Sequence, residues 1–159
     1  MLAQSDSASL PRYEIKPATI ADAAGIGALL AAAGLPHADI ALHLENFLVL
    51  RIGGELAGAV GLEIYGGDAL LRSLVVAPSQ RGSGTGRALV REIGALARDR
   101  GVARLYLLTT TAAEFFERVG FVRTGRGDVP ASVTASKQFQ GLCPSSAVCL
   151  TARVQDVLS

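Results

Sequence analysis

The chain has 159 residues, of which 15 are Lys or Arg and 14 are Asp or Glu, for a formal net charge of +1. So even a balance supplies no global field to gather nucleic acid or an anionic membrane. Half of the residues are hydrophobic, enough for one domain with a core of its own, and the two cysteines, Cys143 and Cys149, fit neither a zinc nor a redox spacing. They read as buried free thiols of a cytoplasmic protein, and no metal is expected.

Met1 to Pro11 has no basic residue ahead of an apolar run, so it reads as a mobile tail and not a secretory signal, with one domain over residues 12–155. The apolar run from Gly25 to Leu35 is too short and too interrupted by glycine to span a bilayer. Between Arg12 and Lys16, Tyr13 and Ile15 alternate with charge and predict a first strand. Thr19-Ile20-Ala21-Asp22 opens a helix in the manner of a capping box. That helix runs to about Ala33, with Ile26, Leu29 and Leu30 inward and Gly34 closing it. Pro36 to Glu45 predicts a second short helix carrying His37 and His43. Strands over Asn46 to Ile52 and Leu56 to Tyr65 flank a Gly53-Gly54 turn, and Gly66-Gly67 leads into a third strand, Leu70 to Val76. Regular alternation puts Arg72, Leu74 and Val76 on one face of it.

After that strand the pattern predicts a helix over Ala88–Arg98, with Leu89, Ile93, Leu96 and Ala97 at helical spacing, closed by Gly101. A strand over Ala103–Thr109, a short helix over Thr111–Val119 and a strand from Phe121 to Thr124 follow. Pro130 fits the first turn of a helix over Val129–Phe139, and Ala147 to Val154 is a last strand. Early antiparallel hairpins and later crossovers predict an α/β fold: a mixed, mostly antiparallel sheet of six to seven strands with helices on both faces.

The chain is organised around Leu70 to Val90. An apolar strand stops at Pro78; Gly82, Gly84 and Gly86 then allow a tight turn; and a helix begins. The first N–H groups of a helix have no partner inside it and the macrodipole favours negative charge, so this turn is an anion site. A Walker-type loop would need Lys and then Ser or Thr after the last glycine, but Gly86 is followed by Arg87-Ala88. A dinucleotide fingerprint would need a different glycine spacing on the first strand of a βαβ unit. What stands is Arg81-x-x-Gly84-x-Gly86 after Leu-Val-Val-x-Pro, which resembles the acetyl-coenzyme A motif of the Gcn5-related N-acetyltransferase (GNAT) family. Thr110-Thr111-Ala112-Ala113-Glu114-Phe115-Phe116-Glu117-Arg118-Val119-Gly120-Phe121 is similar to that family's Asn-x-x-Ala-x-x-Phe-Tyr-Glu-Lys-Leu-Gly-Phe helix. It departs from the pattern at Thr110, where the family often has Asn, and at Phe116, where it often has a Tyr that protonates the leaving thiolate. The ending around Asp128 to Ala131 and Phe139 to Cys149 resembles arsenic-resistance N-acetyltransferases and amino-acid N-acetyltransferases.

The resemblance implies acetyl-coenzyme A as cosubstrate and a small amino-acid-like amine, an arsenical or other toxic analogue among the options, as acceptor. It implies that Arg81, Gly82, Ser83, Gly84, Thr85, Gly86 and Arg87 hold the diphosphate, that the edge of Leu74, Val75 and Val76 lines up the pantetheine arm, and that Thr110 and Phe116 border the coenzyme. For the base, Glu63 stands out as a carboxylate in an apolar strand beside the organising one, with His37 second and His43 structural. Arg72 with Ser73 offers donors for an acceptor carboxylate, or else Arg72 forms an edge salt bridge, with Glu63 as the candidate partner. A non-catalytic acyl-coenzyme A sensor and a protein N-acetyltransferase are the rival readings. No nucleic acid or membrane partner is expected, and a homodimer is left open.

Overall fold

The computed structural model describes residues 12–142 and 146–158. Seven strands form one sheet: β1 (Tyr13–Pro17), β2 (Phe47–Ile52), β3 (Glu55–Tyr65), β4 (Asp68–Val76), β5 (Arg104–Thr109), β6 (Val122–Arg123) and β7 (Val148–Arg153), in spatial order β1-β2-β3-β4-β5-β7-β6. All neighbours are antiparallel except β4 and β5. The helices are α1 (Ala23–Ala32), α2 (Ile40–His43), α3 (Thr85–Asp99), α4 (Ala113–Arg118), α5 (Ala131–Thr134) and α6 (Val154–Leu158). None of them is long and apolar enough to cross a membrane.

Strand alternation sorts the core onto two faces. Leu48, Leu50, Val60, Leu62, Leu71, Leu105, Leu107 and Leu150 pack with Leu89, Val90 and Ile93 of α3, Phe116 of α4 and Val157 of α6. Their intervening neighbours face the other way. There Phe47, Val49, Ala59 and Val75 meet Ile26 and Leu30 of α1 and Ile40 of α2, while Leu70, Tyr106 and Cys149 meet Val129 and Val133. Cys149 is a buried free thiol, and burial raises its pKa. Cys143 and the 1–11 segment lie outside the described residues.

β4 carries the departure that matters most. Ala59 pairs with Val75 and Gly61 with Arg72, so Val60 faces two residues, Ser73 and Leu74, across a bulge where Ser73 adopts φ +62°. The extra residue flips the alternation. Val75, not Leu74, follows Arg72 onto the α1–α2 face, and Leu74 and Val76 turn towards the α3 face. The expectation that Arg72, Leu74 and Val76 share a face is therefore wrong, because one bulged residue reverses every side chain beyond it.

Two other differences are local. The helix expected over Val129–Phe139 is broken into α5 and a π-turn over Gln138–Leu142. Pro130 is extended at ψ 146° and only caps it, and Gly141 at φ 154° is non-helical. The last strand ends at Arg153, and Val154–Leu158 form a helix not foreseen from its β-branched composition, buried through Val154 and Val157 against α3.

Ser73→Val and Ser73→Gly both remove the hydroxyl, so their difference isolates the backbone. A β-branched residue at positive φ should cost roughly 1–3 kcal/mol more than glycine there, read from urea midpoints. Equal midpoints would mean that the bulge relaxes.

Candidate active site

Beyond Leu70, β4 loses β5. The parallel pairing consists of Asp68 with Arg104, Ala69 with Leu105 and Leu70 with Tyr106, whereas both strands continue, β4 to Val76 and β5 to Thr109. The sheet is split from that point, and residues 71–76 have a partner strand only on the β3 side. The open edge runs into a 3₁₀ turn at Pro78–Gln80 and then the glycine turn. Gly82 at φ +83° and Gly84 at φ +86° take left-handed conformations that glycine reaches without strain, and Gly84 caps α3. The turn is tied by its own side chains: the Ser83 hydroxyl donates to the Gln80 carbonyl at 2.6 Å and the Arg81 Nε to the Val76 carbonyl at 3.1 Å. Among the described residues, no protein acceptor bonds the N–H groups of residues 82–87; the first helical bond is from Ala88 to Gly84. No carboxylate caps them, so the cradle is available to an anion.

A cluster of charges lies at the root of the split, between the two hydrophobic groups of the α1–α2 face. Arg72, 3% exposed, forks onto Asp39 (Nη1 to Oδ2 at 2.8 Å, Nη2 to Oδ1 at 2.6 Å) and gives Nη1 to Glu63 Oε2 at 2.7 Å. Its Nε donates to the Ser73 hydroxyl at 2.9 Å and its guanidinium lies 5.8 Å from the centre of the Phe47 ring. Phe47 fits there because position 61 is glycine: a Cβ on Gly61 would overlap the ring. The Tyr65 hydroxyl donates to Glu63 Oε1 at 2.5 Å. His43, about a quarter exposed, brings Nε2 to 3.8 Å from Asp39 Oδ2 and 3.7 Å from Glu63 Oε2. Two carboxylates against one guanidinium leave a surplus negative charge at this point. Asp39, His43 and Glu63 offer ligand atoms within 4.8 Å of one another, but the guanidinium already holds both carboxylates, so the cation in the cluster is Arg72.

The Arg72 hydrogen bonds hold the Asp39 carboxyl below its ordinary pKa of 3.8, against the burial that would raise it. For Tyr65, burial first and then the bond to Glu63 push the phenol well above its ordinary 10.0. Arg72 is moved up in spite of burial, by Asp39 and then by Glu63.

The structure thus brings Glu63, Arg72 and Ser73 together and adds Asp39, Tyr65 and His43, which the sequence did not single out for this chemistry. Arg72 does not present its fork to an acceptor carboxylate; Asp39 and Glu63 fill it. His37 stands exposed in the connection before α2, outside the cluster. Thr110 is exposed just past β5, and the neighbouring Thr109 hydroxyl accepts from the Ala112 N–H at 3.0 Å to start α4. Phe116 is a core ring, 5% exposed, edge-on to Phe115 and Phe121. Phe115 is the ring that faces the glycine turn, 3.5 Å from where a Cβ on Gly86 would lie.

The fold thus combines an opened strand edge, an anion cradle at its end and a carboxylate cluster at its root. The family follows from comparison. The model of the acetyltransferase (GNAT) domain matches residues 43–123, just over half of the chain, and the chain belongs to that family. It is 34% identical over 89 residues to an amino-acid acetyltransferase of Ralstonia nicotianae, covering 55% of this chain and 20% of that protein. It is 33% identical over 99 residues to the streptothricin acetyltransferase of Streptomyces lavendulae, covering 58% and 52%. The N-acetylglutamate synthase of Neisseria gonorrhoeae, solved with coenzyme A and N-acetylglutamate, superposes with a TM-score of 0.79 at 25% identity over 90% of this chain and 35% of that one. The chain spans between a fifth and about half of the curated relatives it matches.

Acid should expose the cluster's dependence on charge. A carboxyl with a lowered folded pKa contributes stability that is complete above its unfolded value and is lost as pH falls through the folded one. Asp39, and Asp22 held in the same way by its hydrogen bond from Arg51, both follow this sign. Thermal melts from about pH 7 to about pH 2 should show an acid limb below about pH 4, shallower in Asp39→Asn. An unchanged limb in that variant would assign the loss to other carboxylates.

Proposed function

We propose that this domain catalyses direct transfer of an acetyl group from acetyl-coenzyme A to the amine of a small amino-acid-like acceptor. One observation carries the reading: the edge of β4 opens at Leu70 and runs into a glycine turn whose N–H groups, among the described residues, no protein group takes. The diphosphate of the coenzyme sits on residues 82–87, with charge from Arg81 and Arg87, and the pantetheine arm follows the edge of Leu74, Val75 and Val76 into the split. A backbone N–H on that edge steadies the oxyanion.

The amine nitrogen attacks the thioester carbon, the carbon–sulfur bond breaks, the thiolate leaves with the electron pair, and the nitrogen of the new amide gives its second proton to that thiolate or to water. Before attack the ammonium must give up a proton. Glu63 receives it, held in place by Tyr65 and Arg72, while the surplus negative charge of the cluster draws the cationic amine to this end of the split. Arg72 and Ser73 are positioning residues in this scheme, and His37 borders the acceptor entrance. The names of the relatives, amino-acid and streptothricin acetyltransferases, support an acceptor that carries a free amine. The segment from Val129 to Leu142 covers the β4–β5–β7 face beside the cluster, which favours a small acceptor over a protein. The sensor reading keeps one point, the phenyl ring at Phe116, and coenzyme binding without turnover on any amine would favour it.

The test is acetyl-coenzyme A turnover against free amino acids, arsenical analogues and other small amines. Glu63→Gln should lower kcat/KM about a hundredfold or more, mainly below the pKa of the amine, with coenzyme affinity unchanged. Full activity with an unaltered pH profile would remove Glu63 from the role. Gly84→Val should do the opposite, weakening the coenzyme by distorting the cap while leaving the form of the pH profile alone.

A further inference from the structure

Most cations of this fold have partners. Arg51 and Arg72 hold buried carboxylates, and Arg123 and Arg153 hold exposed ones. Five do not: among the described residues, Arg12, Arg87, Arg91, Arg118 and Lys137 have no ion pair and no side-chain hydrogen bond, and Arg87, Arg91 and Arg118 are the three that stand together. These three line one depression of about 240 Å³ together with Gly120 and with Asp156 and Val157 of α6. Arg87 and Arg91 are one turn apart on α3, and Arg118 comes from the end of α4. The one carboxylate at the rim, Asp156, already accepts from Arg153 at 3.2 Å. Unpaired like charges repel, and here three guanidiniums outnumber the single carboxylate beside them.

The location adds a second, independent constraint. Arg87 is the third residue of α3, whose N-terminal cap is the glycine turn, and at about 1.5 Å rise per residue Arg91 lies only about 10 Å up the axis from Gly84. A ligand with its diphosphate on the turn would therefore reach the three guanidiniums with a group one sugar further on.

We infer that the Arg87–Arg91–Arg118 depression is a phosphomonoester site, and that it takes the 3′-phosphate on the ribose of coenzyme A. The inference rests on the coenzyme reading above and adds to it a selection: the domain distinguishes the 3′-phosphorylated coenzyme from its dephosphorylated form. A dianionic phosphate suits three guanidiniums from two helices because each donor fork can meet a separate oxygen edge.

Calorimetric titration with coenzyme A and with 3′-dephospho-coenzyme A tests this in the unaltered chain and in an Arg91→Gln, Arg118→Gln double variant. The unaltered chain should bind coenzyme A at least about tenfold more tightly than the dephospho form. The double variant should lose most of that difference while keeping its affinity for the dephospho form, which also reports that it is folded. Equal binding of the two ligands by the unaltered chain would overturn the phosphate site and leave the coenzyme reading intact. An equal loss for both ligands in the double variant would also overturn it, by showing a general field in place of a site. Binding of neither ligand would bring down the coenzyme reading itself, and this inference with it.

Discussion

Arg72 lies between two carboxylates in the interior, and much of the local architecture follows from that. Burying an ion costs several kcal/mol, and the cost is met only when the geometry is good and the remaining donors are satisfied. Here Asp39 takes two of the five donors, Glu63 a third and the Ser73 hydroxyl a fourth, while Phe47 covers the guanidinium face. These contacts join the entry to α2, strand β3 and strand β4 at one point. They also account for the bulge. Had β4 continued without it, Leu74 would face α1 in place of Val75, and the hydroxyl that receives Nε would not stand beside it.

The same point is where the sheet opens. A parallel pair has no hairpin to hold it in register, and β4 and β5 share only three paired positions before they part. The unpaired stretch of β4 is not left as a loose edge: the bulge twists it, and the glycine turn ends it within a few residues. An opened strand would ordinarily invite aggregation. In the proposed reaction it is the surface on which the acyl arm lies, so function asks for an edge that solubility alone would close.

How much of this could be read from the sequence depends on how far apart the interacting residues are. The glycine turn was legible because left-handed backbone needs glycine and Gly82 and Gly84 supply it, and α3 was legible from Leu89, Ile93, Leu96 and Ala97 at helical spacing. Glu63 was legible as a carboxylate in an apolar strand. Its partners were not. Asp39 lies 33 positions before Arg72, nothing local in Pro36 to Glu45 marks it as buried, and Tyr65 looked like the end of a strand. The bulge at Ser73 left no trace because a serine at positive φ is indistinguishable in sequence from one in a regular strand. The helix at Val154 was hidden for the opposite reason. Its valines favour a strand intrinsically, and packing against Gly94 of α3, where Val157 comes within 2.7 Å of a would-be Cβ, overrides that preference.

Phe116 bears on the mechanism in a way that its burial makes sharper. A tyrosine at this position could protonate the departing thiolate, but here the ring is wedged edge-on between Phe115 and Phe121 in the α3-side core. It therefore has a packing role that a hydroxyl would complicate, since a buried phenol needs a partner. The two ends of the reaction do not demand equal help. A thiol ionises at about pH 8.5, so its anion leaves without much assistance near neutrality, whereas an alkylammonium must be deprotonated before it can attack at all. An acetyl-transferring site can dispense with the acid more readily than with the base. In the proposed reaction the polar groups follow that order: aromatic carbon of Phe115 stands by the glycine turn, and the carboxylates, the phenol and the histidine gather around Glu63.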